Sequence, residues 1–175
     1  MATDIRLKEY QSLLHGTTMD WLLTPVGLLD EEEELATAFR VALGTDRLAD
    51  VDEVLPDIDS TDRRGWWGDL EAEEIWDGWN IGCKNWLLTR AKISDDVSWE
   101  GATVRRAHNY TKEALQPFID KRFCSRIDVR AERVLDQTKH QAAREMIVVT
   151  VVAYRGPLRA IELRYAYLWD QVITM

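Results

Sequence analysis

One run in this chain holds residue types at spacings that could do chemistry: Asp62-Arg63-Arg64-Gly65-Trp66-Trp67-Gly68-Asp69. Two carboxylates flank a tryptophan pair. A small glycan-cleaving, lysozyme-like enzyme would use Asp62 and Asp69 as acid and base beside an aromatic sugar platform. Asp and Glu together number 31, however, so two carboxylates close in sequence are weak ground for catalysis. In the competing use, Asp62 caps backbone or pairs with Arg63 or Arg64, and Asp69 caps the following turn. Arg63, Arg64 and the more distant Arg90 can fork onto backbone carbonyls or a partner's carboxylate, and an arginine can stack on Trp66 or Trp67. Trp and Arg are also the residues in which interface binding energy concentrates. Adjacent tryptophans cannot both enter one core from a strand, and the glycines break a helix. The run therefore reads as an ordered, tightly bent loop with anchored rings, suited to assembly.

No other constellation competes with it. His15, His108 and His140 are scattered, without Cys, Asp or Glu at ligand spacing. Ser12, Ser60, Ser94, Ser98 and Ser125 lack a nucleophile-elbow context, and no Lys-Ser or Lys-Thr follows Gly65 or Gly68 to form a phosphate loop. Cys83 and Cys124 read as free thiols. The Glu31 to Glu34 run reads as the dipole-stabilised start of a helix, not a metal or acid site. No cofactor and no metal are implied. A net charge of −9 and a pI near 4.9 argue against nucleic acid as a main partner. No stretch has the apolar length to span a membrane, and the first residues do not resemble a secretory leader, so synthesis and use in the cytoplasm are expected. Eight tryptophans in 175 residues favour extensive protein contacts.

The elements that must position the run follow from periodicity. A chain of this length suits a single domain. Residues 1–29 read as an arm whose short apolar pieces are strands or extended segments. Residues 30–122 form a helical part containing the loop over 45–69, and residues 123–175 form a sheet. Asp30 caps a helix over Glu31 to Leu43, with Gly44 as a left-handed stop. Short helices are expected over Glu71 to Trp79 and Lys84 to Ala91. A long helix capped by Ser98 or Asp96 runs to about Arg122, with Pro117 kinking or ending it. Arg126 to Val134 and Ile161 to Trp169 alternate as half-buried strands. Met146 to Tyr154, apolar on both parities, reads as the central strand between them. The expected class is α+β: a C-terminal three-stranded antiparallel meander packed on the long helix, with an N-terminal helix and a long ordered loop.

The Asp62 to Asp69 run resembles the signature of the tail baseplate family typified by phage Mu gene product 46. Thr45-Asp46-Arg47 at a helix end, Gly82, and Trp86-Leu87-Leu88-Thr89-Arg90-Ala91-Lys92 agree in order with it, so the resemblance covers roughly residues 20–169. Cys83-Lys84-Asn85 and the tryptophan-rich Glu71 to Trp79 depart from the pattern. The family is similar in role to the wedge protein 25 of T-even phages. The resemblance implies a structural subunit of a contractile-tail baseplate wedge, located in the virion and assembled in the host cytoplasm. It would join other wedge proteins, and the tail sheath or tube, by strand exchange. The implied interface comprises Asp62 to Asp69 and Arg90, together with Leu163, Tyr165 and Tyr167 on an open sheet edge.

Overall fold

The structure, a computed structural model, describes residues 7–12, 16–21, 23, 25–26, 34–75, 77–93, 102–136 and 144–172. The class is α+β. Backbone contacts divide the chain into two compact units, Met1–Val41 and Ala42–Met175, where the sequence reading has one domain with an arm over 1–29.

In the first unit, β1 (Leu7–Ser12) and β2 (Gly16–Trp21) form an antiparallel hairpin with Leu7 opposite Trp21 and Ser12 opposite Gly16. Helix α1 (Glu34–Gly44) runs across the unit boundary and buries Leu35, Ala36, Phe39, Ala42 and Leu43, one apolar stripe at helical spacing. The expected cap Asp30 and residues 31–33 lie outside the described residues. Gly44 is not a left-handed stop. It is the last helical residue and does not adopt positive φ, because the chain leaves α1 directly into extended backbone that pairs Asp46 with Cys83.

The second unit is built on α3 (Thr103–Asp120), which packs on one side against the sheet and on another against a short 3-10 helix at Lys84–Leu88. Helix α3 buries Val104, Ala107, Thr111, Ala114, Leu115 and Phe118. Its start differs from expectation: Ala102 is the cap residue, so neither Ser98 nor Asp96, both outside the described residues, caps it. The Thr103 hydroxyl instead donates to the Lys92 carbonyl at 2.5 Å, so a tertiary tie fixes where the helix begins. Pro117 falls in the last turn, and the helix ends three residues later.

The sheet has the order β3-β4-β5, all antiparallel, with β3 at Arg126–Asp136, β4 at Arg144–Arg155 and β5 at Leu158–Val172. Ile127, Val129 and Ala131 stand opposite Ala153, Val151 and Val149. Directly opposed residues share a sheet face, and on this face Ile147, Val149, Val151 and Ala153 are at most 1% exposed. The other parity of β4 is less covered: Thr150, Val152 and Tyr154 are half-buried, while Val148 is buried.

Candidate functional site

Between α1 and α3 the chain forms a lobe over 45–93 whose two ends are pinned together. The Cys83 N–H donates to the Thr45 carbonyl at 2.8 Å and the Arg47 N–H to the Cys83 carbonyl at 3.3 Å. Gly82 permits this approach. It sits at φ +131°, and a Cβ there would lie 2.8 Å from the Arg47 nitrogen. Within the lobe the signature run is shorter as a loop than expected. Trp67–Glu71 forms a 3-10 helix leading into α2 (Ala72–Ile75), and Asp77 and Gly78, both at positive φ, end it before Trp79. The helix expected over Lys84 to Ala91 is the 3-10 turn at Lys84–Leu88.

Asp62 and Asp69 are engaged by local backbone. The Asp62 carboxylate accepts the Arg64 N–H at 2.8 Å, and the Asp69 carboxylate accepts the Trp66 N–H at 3.2 Å. Asp62 thus caps backbone as expected, whereas Asp69 reaches back to the residue before its own 3-10 turn and does not cap the following one; together they hold the bend where Arg64 and Gly65 adopt φ of 54° and 93°. Arg63 folds back as a fork. Its Nη2 donates to the carbonyls of Asp50 and Val51 at 2.5 Å each and of Glu53 at 3.3 Å, shaping the 50–53 turn. Arg64 pairs with Asp46 and lies over the Trp86 ring, 4.8 Å from its centre. The Trp86 indole N–H donates to the Arg47 carbonyl at 2.9 Å, and Arg47 pairs with Glu113 of α3 at 3.2 Å. Arg90 pairs with Asp57 at 3.2 Å on the exposed surface. Asp62 to Asp69 and Arg90 thus belong to one lobe.

The two adjacent tryptophans part company. Trp66 is half-buried and lays its ring over Gly68, where a Cβ would come within 2.5 Å of the ring. Trp67 is 79% exposed, which corrects the expectation that both rings are anchored. Only one ring fits over Gly68; the other touches the first edge-on at 5.2 Å and projects outward. Leu70, one 3-10 turn on, is 88% exposed.

Leu163, Tyr165 and Tyr167 belong to the sheet, not the lobe. They stand opposite Val151, Val149 and Ile147 on β5, which among the described residues pairs only with β4. Leu163 is half-buried.

Lys84 and Asn85 stand out in the sequence only as a departure from the family pattern, not as candidate site residues. Lys84 is 5% exposed, and its ammonium contacts Asp50 at 2.5 Å and Glu53 at 3.1 Å. Burial alone would lower its pKa, but the two carboxylates more than offset that and hold it above the usual lysine value. Lys84 in turn holds the Asp50 carboxyl below its ordinary value. Asn85, also buried, donates to the Thr111 hydroxyl at 3.1 Å and ties the lobe to α3. The available signal was a lysine next to the apolar Trp86-Leu87-Leu88, with acidic Asp50, Asp52 and Glu53 upstream. Burial pushes the adjacent Cys83 thiol up to about 12. Among the described residues, no three His, Cys, Asp or Glu side chains converge as metal ligands, and no helix is long and apolar enough to cross a membrane.

A family model described as Phage protein GP46 matches residues 35–156, more than half of the chain. The chain is also similar to a protein of Escherichia phage Mu described as baseplate protein gp46. The two are 39% identical over 103 residues, covering 59% of this chain and 63% of the relative, so the match spans less than two thirds of that protein. No solved structure matches.

Proposed function

Because the chain belongs to the Phage protein GP46 family, we propose that it is a structural subunit of a phage tail baseplate, specifically of the wedge of a contractile tail. The observation that carries this reading is an outward Trp67 on a rigid mount. A 79% exposed tryptophan loses favourable burial in a lone subunit, and here the Arg63 fork and the buried Lys84 stiffen the lobe that bears it. Rigidly presented aromatics suit docking against another protein, since little side-chain or loop freedom is lost on binding. The caps made by Asp62 and Asp69 serve the same end. Arg90 extends the surface beside Asp57.

In this reading the partners are other wedge proteins, with the tail sheath or tube as a second neighbour, and the protein resides in the virion after assembly in the host cytoplasm. The joint to the sheath or tube uses the β5 edge around Leu163, Tyr165 and Tyr167, where main-chain groups of an outer strand are open to pairing with a strand from another chain. Protomers of this kind need neither cofactor nor nucleic acid.

Phage carrying Trp67→Ala together with Leu70→Ser provides the test. The purified variant keeps its unfolding midpoint, while the yield of particles with complete baseplates, counted by electron microscopy, falls by at least about tenfold. Normal particle yield would overturn the reading. Leu163→Pro, which removes a ladder donor on β5, separates the two contacts: loss of sheath or tube attachment with intact wedges is the expected result.

A further inference from the structure

A second surface lies outside the signature lobe. A cavity of about 620 Å³ opens where the C-terminal end of α3, the start of β3 and the β4–β5 turn meet, lined by Ile119, Arg122, Phe123, Cys124, Arg155 and Gly156 among others. Its floor is satisfied: the Ser125 hydroxyl donates to the carbonyls of Tyr154 at 3.0 Å and Gly156 at 3.3 Å. The end of α3 is satisfied too, since the carbonyls of Pro117, Phe118 and Ile119 accept N–H groups from Lys121 to Cys124. What the cavity leaves open is positive charge. Arg155 uses its Nε on the Phe123 carbonyl at 3.3 Å, which aims the rest of its guanidinium without consuming it. The Arg122 guanidinium meets no acceptor among the described residues. Apolar Ile119 and Phe123 share the lining, and Phe123 is 50% exposed.

Arg122 also sits at φ 63°, just past the helix end, in the left-handed conformation that Gly or Asn adopts more readily. The backbone there does not call for an arginine, whereas the cavity has a use for one. Two guanidiniums beside apolar lining residues, in a chain whose net charge is −9, are complementary to one chemistry: a carboxylate next to an aliphatic side chain. We propose that this cavity is a docking socket for an acidic, apolar segment of a partner protein, with Arg122 and Arg155 clasping a carboxylate while Ile119 and Phe123 cover the neighbouring side chain. The proposal rests on the assembly reading and adds to it a second contact of defined chemistry, distinct from the Trp67 surface.

The test is an NMR titration of the full chain with the capped tripeptide acetyl-Leu-Glu-Leu-amide, its Gln analogue, and inorganic phosphate. The Glu peptide is expected to shift the amides of Phe123, Cys124, Ser125 and Gly156, with the Gln analogue binding at least about tenfold more weakly. Arg122→Asn, which suits the left-handed backbone, should keep or raise the melting temperature and lose at least about tenfold in peptide affinity. No response, an equal response to the Gln peptide, or an equal response to phosphate would overturn the proposal, the last by making the cavity a general anion site. The wild-type titration decides the matter even if the variant fails to fold. Normal baseplate yield from the Trp67→Ala, Leu70→Ser phage would sink the assembly reading without touching the peptide result.

Discussion

Replacing Lys84 with Met tests whether the lobe is held by one buried cation. Methionine keeps the apolar stem and removes the ammonium from its two carboxylates, Asp50 and Glu53. Breaking a fully buried pair from one side costs about 3–5 kcal/mol, because the remaining charge stays desolvated. Here the Asp50 side chain is 69% exposed and rehydrates, so its share falls toward the ~0–1 kcal/mol of a surface pair. Glu53, 19% exposed, rehydrates poorly but keeps the Asp50 N–H on its carboxylate at 2.8 Å. The expected loss is therefore about 2 kcal/mol, a shift of roughly 1 M in the urea midpoint for a domain of this size. Acid dependence supplies the second readout. The folded-state pKa of Asp50 is depressed, so the stability it contributes is present above its ordinary value of 3.8 and disappears as pH falls through the lower folded value. Wild type should lose more stability than Lys84→Met between about pH 5 and pH 2. A midpoint shift below about 0.3 M, or the same acid limb in both proteins, would refute the clamp.

Three further outcomes follow from the same geometry. Gly68→Ala places a Cβ where the Trp66 ring lies, 2.5 Å away, and should cost about 1–3 kcal/mol in urea unfolding with a change in tryptophan fluorescence; unchanged stability would mean the ring has another place to go. Cys83 should resist alkylation by a maleimide at pH 8 in the folded protein and react on unfolding, because burial keeps it a thiol. Its raised pKa also makes the folded state lose stability as pH climbs from about 9 towards 12, at no more than about 1.4 kcal/mol per pH unit, and Cys83→Ser should flatten that alkaline limb.

The strands and their shared face were legible because a period of two survives translation into structure: Ile127, Val129 and Ala131 meet Ala153, Val151 and Val149 as alternation requires. The long helix was legible for the same reason, but its start was not. The Thr103 hydroxyl on the Lys92 carbonyl is a tertiary contact, invisible to capping patterns. The signature run was recognisable as bent and ordered from its glycines and charges. Which tryptophan would stay inside depended on the ring that fits over Gly68, and that is a matter of packing. The buried role of Lys84 was not legible because it comes from Asp50 and Glu53, more than thirty residues earlier, brought beside it by the pinned ends of the lobe.

Those pinned ends turn the segment they enclose into a stitch in the chain, closed at its base and tied down again further along. Residues 45–47 and 83 meet in a short parallel pairing, so the chain enters and leaves the intervening segment at almost one point. Loop closure entropy rises only as the logarithm of length, so lengthening the intervening segment by ten residues costs a few tenths of a kcal/mol (on the order of 0.2). The enclosed segment is nonetheless tied to α3 and its end by Trp79 on Phe118 at 4.9 Å and Asp77 on Lys121 at 3.0 Å, so room for insertion lies between the pairing and these ties, provided a glycine remains at 82 to let the two strands close. Outward residues of that span, such as Trp67 and Leu70, can then change without redesign of the buried face of α3 and the sheet.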